Sequence, residues 1–243
     1  GLLTGDPGIS LINRVPIAQL IGPRLANSLF LATLTAAVAV PIALLLGITT
    51  AIWRGSLYDR VTNVAAVSLV SVPEFLLATL AVILFAVQLR WVSAMATPAV
   101  GSFVDALRSL TLPVLTLSFA IMAQMVRMTR AALLGVLESS YVEMARLKGV
   151  RPARLVLRHA LPNAAGPIAN AVALNLSSLL GGVIIVEVIF SYPGIAKLAV
   201  NAVETRDMPL IQACAMIFCA AFMICVLVAD ICSIVSNPRL RTR

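Results

Sequence analysis

The chain has 243 residues, 60% of them apolar and only 12% charged, with 18 Lys and Arg against 10 Asp and Glu. A soluble domain is about a quarter charged and its surface helices keep a polar face, so long segments that are apolar nearly all round exclude an ordinary soluble bundle. A transmembrane barrel would show alternating strands of about ten residues, and no such alternation runs through this sequence. The composition defines an all-α polytopic helical membrane protein.

Residues 1–23 mix Gly, Pro and polar groups with a short apolar stretch, which predicts an external segment ending in a surface helix. Five spans follow, at 26–53, 61–89, 110–126, 167–189 and 210–235. Each has about the length that a helix rising about 1.5 Å per residue needs to cross a bilayer core. The turn at 54–60 and the loop at 90–109 carry no chemical motif. After the fourth span, Pro193 and Gly194 make a turn, and an amphipathic stretch over 195–203 runs on to Pro209.

Basic residues sort by loop. Placing the first turn, the 127–162 region and the C-terminus on one side gathers Arg54, Arg60, Arg127, Arg130, Arg146, Lys148, Arg151, Arg154, Arg158, Arg239, Arg241 and Arg243 there. Arg14, Arg24, Arg90, Arg108, Lys197 and Arg206 fall on the other. Twelve of the 18 on one side makes that side cytoplasmic. The positive charge is thereby a topology signal, with no nucleic-acid partner required. Five spans ending inside leave residue 1 outside, which predicts a further span ahead of this chain.

Three acids lie in or near the spans. Charge at the centre of a membrane helix costs about 2.5–3.5 kcal/mol on insertion scales, so each acid must face protein or water. Glu187 and Asp230 lie near span ends, where snorkelling reduces that cost, while Glu74, following Pro73, is the acid hardest to dismiss. Glu74, Gln124, Gly181, Gly182 and Glu187 are the candidates for a pathway or for helix packing, close packing being the default for the glycine pair. Cys214, Cys219, Cys225 and Cys232 share no helical face and no zinc spacing, so they read as small buried residues.

Enzyme chemistry has little to work with. The one histidine, His159, cannot build an H-E-x-x-H site, and the phosphate-binding loop and the G-x-S-x-G elbow are both absent. The informative stretch is instead YVEMARLKGVRPARLVLRHALPN, residues 141–163. Ser140 and Glu143 form S-x-x-E, which predicts a capping box and a helix over 141–148. Gly149 closes that helix in the left-handed conformation, and Pro152 opens a second one. Tyr141, Met144, Ala145 and Lys148 share one face of the first helix; Arg151, Arg154 and Arg158 form a stripe on the second. Composition alone also suits a connector resting on anionic headgroups. An eight-residue helix is marginal in water, however, and the paired caps together with small Ala145 favour docking onto a protein.

These residues also carry a family resemblance. Glu143-Met144-Ala145, then Gly149, then Leu161-Pro162 is similar to the E-A-A-x3-G-x9-I-x-L-P signature of binding-protein-dependent ABC importer permeases, with Met144 for the middle Ala and His159 for the Ile. The segments GDPGISLINRVPIAQLIGPRLANSL, MVRMTRAALLGVLESSYVEMARLKGV, IFSYPGIAKLAVNAVETRDMPLIQ and NPRLRTR resemble the B-type permease of the peptide and nickel subfamily.

The resemblance implies a type I importer permease fold in which residues 24–243 are the transmembrane domain and 137–162 the cytoplasmic coupling loop. A second homologous permease subunit, two cytoplasmic ATPases and an external solute-binding protein are the implied partners, in a bacterial inner membrane with the C-terminus cytoplasmic. No cofactor is expected on this chain, ATP and Mg being expected on the ATPases. Ser140, Tyr141, Glu143, Met144, Ala145, Lys148, Gly149, Arg151, Leu161 and Pro162 are the implied ATPase-coupling residues. The alternative reading is a self-sufficient secondary transporter or channel, for which internal repeats with broken helices are the expected sign.

Overall fold

The computed structural model describes residues 7–96 and 103–236. Residues 1–6 of the external segment, 97–102 of the 90–109 loop and the C-terminal NPRLRTR lie outside the described residues. Among the described residues nine α-helices follow in chain order: α1 (Ile17–Ile52), α2 (Leu57–Val70), α3 (Glu74–Ala81), α4 (Phe103–Leu137), α5 (Ser140–Leu147), α6 (Pro152–Arg154), α7 (Leu161–Ile189), α8 (Ile195–Glu204) and α9 (Met208–Ser236). Two π-helical stretches extend this set, Val82–Gln88 after α3 and Leu155–Ala160 between α6 and α7.

Among the described residues four helices are long and apolar enough to cross a membrane, and a fifth span results if α2 and the helix from Glu74 are counted as one bent pair. The predicted continuous span over 61–89 is therefore corrected. It breaks at 71–73 with a bend of 100°. Pro73 has no amide hydrogen and pushes the preceding Val72 out of the helical region, while the Ser71 hydroxyl donates back to the Val67 carbonyl at 2.9 Å. The predicted surface helix before the first span is also corrected, since it is continuous with α1 from Ile17 onward.

Pro162 does not simply lead into the next span. It lies in the second position of α7, directly after the π-helical turn. A proline inside an α-helix clashes with the carbonyl four residues back, and a π-turn relieves that register. The result is one run from Pro152 to Ile189.

Internal contacts divide the chain into two compact units. The first takes the described residues of 1–36, 73–118 and 179–223. Its core joins Ile17 and Ile21 of α1 to Ile195, Leu198 and Ala202 of α8 and to Leu210, Ala213 and Cys214 of α9. The second takes those of 37–72, 119–178 and 224–243. Its core joins Ala51, Leu133, Val156, Ala160, Ala164 and Ile168, with Ala43, Met125 and Val126 adjoining α1 to α4.

The close approach of α1 and α4 in the second unit has a sequence cause. Ala43, Gly47 and Ala51 recur every four residues and are buried, a small-residue stripe of the kind that lets membrane helices touch. A Cβ on Gly47 would lie 2.7 Å from Thr129 Cβ.

In the first unit, buried carboxylates hold loop and helix ends. Glu187 is fully buried and accepts hydrogen bonds from the Ser28 hydroxyl and from the Ala196 and Lys197 amides at 2.8 and 3.1 Å. Ser28 in turn accepts from the Ile195 amide at 2.9 Å. The first amides of α8 are thus satisfied by a carboxylate at the positive end of the helix dipole. The expectation that Glu187 snorkels is corrected, because these donors replace water. Asp207, also buried, receives the Ser10 hydroxyl, the Leu11 amide at 3.3 Å and the Leu210 amide at 3.4 Å, tying residues 10–11 to the start of α9.

Candidate coupling site

The 141–163 stretch folds as two short elements between α4 and α7. Only Glu138 and Ser139 separate α4 from α5. Ser139 is the N-cap, and its hydroxyl donates to the Val136 carbonyl of α4 instead of capping α5. The predicted capping box is therefore corrected. Ser140 is the first helical residue, from which its hydroxyl cannot serve as the cap, and no side-chain hydrogen bond closes the first turn. Both Ser140 and Glu143 are exposed.

The other end of α5 closes as its glycine requires. Gly149 has φ +77, the left-handed conformation open to Gly without a Cβ penalty. The Gly149 amide donates to the Arg146 carbonyl at 2.9 Å and the Val150 amide to the Ala145 carbonyl at 3.3 Å, the paired bonds of a Schellman motif. Arg151 then stands at the N-cap of α6 with Pro152 at N1, where the missing amide hydrogen does no harm.

Val142 anchors α5 at 1% exposure, and Ala145 is half-buried. Tyr141, Met144 and Leu147 are exposed at 48%, 58% and 79%. They recur every three residues along one side of the helix and leave an apolar stripe without a cover. Leu147 was not among the residues singled out from sequence, although its i+3 spacing from Met144 carries the signal. Lys148, Arg151, Arg154 and Arg158 surround an open depression of about 790 Å³ beside this stripe. Leu161 is half-buried and Pro162 exposed at the root of α7. The Tyr141 hydroxyl reaches the His159 carbonyl at 3.5 Å, and the Asn163 amide side chain donates to that carbonyl at 2.9 Å.

A second feature near this site escaped the sequence reading. Asp59, in the first turn of α2, takes a two-pronged contact from Arg130 of α4, Nε to Oδ1 at 2.7 Å and a terminal guanidinium nitrogen to Oδ2 at 2.8 Å. The Gly55 amide at 2.9 Å and Asn63 Nδ2 at 2.7 Å complete the shell of Asp59. Ser56 accepts the Asp59 amide at 3.2 Å. The S-x-x-D pattern of Ser56 and Asp59 was the available signal. This clamp fixes the α1–α2 turn against α4 less than three turns before α5 begins.

The remaining candidates scatter. A Cβ on Gly182 would sit 2.8 Å from Glu74 Oε2 and 3.1 Å from Leu117, whereas Gly181 has open space. Gln124 is exposed on α4, in line with Arg127, Ala131, Gly135 and Glu138. Among the described residues no group of three or more His, Cys, Asp or Glu is placed to hold a metal ion.

Long apolar helices, a sharply bent pair and a short closed helix displayed between α4 and α7 define a polytopic helical membrane protein. The comparisons with known proteins place it more narrowly. The model of the family described as "Binding-protein-dependent transport system inner membrane component" matches residues 43–242. The chain is 38% identical over 240 residues to the glutathione transport system permease protein GsiC of Pectobacterium atrosepticum, covering 99% of this chain and 76% of that protein. It is 39% identical over 237 residues to the Escherichia coli K12 protein of the same name, covering 98% and 75%. The fold matches the MetNI methionine ABC transporter in an inward facing conformation with a TM-score of 0.72 at 15% identity, over 90% of this chain and 97% of that one. The chain belongs to the binding-protein-dependent transport system inner membrane component family. It is a multi-pass inner-membrane permease subunit of an ABC importer, a class that works with an ATPase and a binding protein.

Proposed function

We propose that this chain forms half of a translocation pathway with a second homologous permease, and that α5 seats in a groove on one of two cytoplasmic ATPases. The observation that carries this reading is the exposed stripe of Tyr141, Met144 and Leu147 on a helix closed by Gly149. A short helix set between long ones transmits a push that a flexible loop would absorb. Glu143 and the basic rim from Lys148 to Arg158 supply the charged border of the contact. ATP and Mg bind the ATPases; this chain holds no cofactor, performs no catalysis and keeps its C-terminus in the cytoplasm.

The substrate is a small peptide of the glutathione type, a reading supported by the names and identity of the relatives. Glu74, beside Gly182 at the 100° bend, supplies a polar group to the pathway.

Reconstitution of the whole importer with its binding protein tests the proposal. Glu143→Lys and Gly149→Val leave membrane insertion intact and lower glutathione uptake per ATP hydrolysed at least several-fold, whereas Glu74→Gln lowers uptake with the ATPases still assembled. Wild-type uptake and substrate-stimulated turnover in both α5 variants would remove the coupling assignment. Ion-driven uptake by the permease without ATPases would favour a secondary transporter.

A further inference from the structure

Behind α5 lies a cavity of about 300 Å³ that the coupling reading does not use. The apolar side of its wall is built from Ile52 at the end of α1, Leu137 at the end of α4, Val150 in the turn after α5 and Val156 in the π-helical stretch before α7. Two guanidinium groups, Arg54 and Arg146, complete the lining. Arg54 shares a 3.3 Å contact with Glu138, both side chains being more than half exposed, so that pairing is weak. Arg146 has no side-chain partner among the described residues. The cavity therefore joins one guanidinium held only by an exposed ion pair, and one with no side-chain partner among the described residues, to a hydrocarbon surface.

The neighbouring aromatics locate it in the membrane. Trp53 and Tyr58 are exposed at 57% and 38%. Their rings meet edge to face at 5.8 Å between centroids, immediately beside Arg54. Exposed Trp and Tyr at the end of a spanning helix mark the headgroup level, where basic pockets between membrane helices take anionic headgroups. A soluble anion would gain nothing from the apolar wall, and a free acyl chain would gain nothing from the arginines.

We propose that this cavity binds one anionic phospholipid, with its phosphate between Arg54 and Arg146 and the start of an acyl chain against Ile52, Leu137 and Val156. The occupant touches the ends of α1 and α4, the turn closing α5 and the root of α7 at once. The bound lipid thereby wedges the coupling helix in place.

The test uses the intact importer in nanodiscs of phosphatidylcholine doped with phosphatidylglycerol carrying a photoreactive group in its acyl chain. Cross-links are mapped by peptide mass spectrometry, and assembly of each variant is checked by size-exclusion chromatography. Cross-links are expected on residues 52, 137 and 156 in the wild type. Arg54→Gln with Arg146→Gln is expected to reduce them at least fivefold, and so is Val156→Trp, which fills the cavity while both arginines stay.

Three results would overturn the proposal. One is cross-linking that persists in all of these variants, and another is equal labelling by photoreactive phosphatidylcholine. The third is loss of the label on adding soluble glycerol phosphate, which would mark the site as one for a free anion.

Discussion

At the scale of single residues, the buried carboxylates Asp59, Glu187 and Asp207 are placed where each has several partners. Asp59 is the strongest case. Its side chain is only 5% exposed and Arg130 only 22% exposed, so removing either partner leaves a largely desolvated charge. Breaking such a pair costs about 3–5 kcal/mol, and Asp59→Asn is expected to lower stability by a large part of that. Arg130→Gln is expected to destabilise comparably, and the double variant by less than the sum, because partners in one network are not additive. Thermal unfolding in detergent measures all three, and strict additivity would show that the two groups act independently.

Asp207 gives a pH-dependent counterpart. Burial raises its pKa, but hydrogen bonds from Ser10 and the amides of Leu11, Leu210 and Ile12 outweigh that and hold the carboxyl below its ordinary 3.8. A depressed carboxyl pKa contributes stability above the unfolded value that is lost as the pH falls through the folded value. The stability gap between the wild type and Asp207→Asn is therefore constant from pH 7 to about pH 5 and closes below about pH 4, near the unfolded Asp pKa. A gap independent of pH would remove the carboxylate from this role. Tyr192 sits alongside in the same unit, pushed up to about 12 chiefly by burial and by the Glu187 charge. Its phenol thus keeps its proton and its 3.0 Å bond to the Asn27 carbonyl through the whole physiological range.

At the scale of elements, what decides a contact is often a missing atom. Gly47→Ala places a Cβ 2.7 Å from Thr129 Cβ and 3.1 Å from the Val126 carbonyl, so α1 and α4 must separate. Overpacking of this kind costs about 1–3 kcal/mol. Gly181→Ala meets nothing within 4 Å and is expected to leave the melting temperature unchanged or raise it slightly, since Ala is the better helix former. Comparing the two melting curves checks the assignment, and equal losses would sink it. Of the adjacent pair Gly181 and Gly182, only Gly182 lies in close contact, with Glu74 and Leu117, while α1 and α4 cross on the Ala43, Gly47 and Ala51 stripe.

The same asymmetry runs through the coupling site. Gly149 and Pro152 were legible because each acts through its own backbone. The Ser140 and Glu143 cap was misread because Ser139 is also a capping residue and the α4–α5 junction is too short to leave its hydroxyl free. The S-x-x-D pattern marks Ser56 and Asp59 as the start of α2, but the partner of Asp59 is Arg130, 71 residues away, and that pairing has no local signature.

At the scale of the whole molecule, hydropathy located the segments, because a bilayer imposes that constraint on the sequence directly. The bend at Pro73 was written there as well, in a proline preceded by Ser71 and Val72, but average hydropathy passes over it. Orientation rests on a different kind of signal. The twelve Lys and Arg assigned inside include Arg146, Lys148, Arg151, Arg154 and Arg158 around the α5–α6 turn, and short loops rich in Lys and Arg stay cytoplasmic.

That predicts the sidedness of two specific points. A cysteine replacing Arg158 should react with a membrane-impermeant maleimide only after cells are opened, and one replacing Asn201, exposed on α8, should react in cells whose outer membrane alone is permeabilised. Cys214, Cys219, Cys225 and Cys232 are first replaced with Ala or Ser to remove background. The reverse pattern would put α5 on the outer face, where no ATPase can reach it, and would end the coupling proposal along with the orientation. Equal labelling of both sites from outside would contradict a spanning α7, since Pro152–Ile189 separates Arg158 from the start of α8 by most of one membrane-length helix.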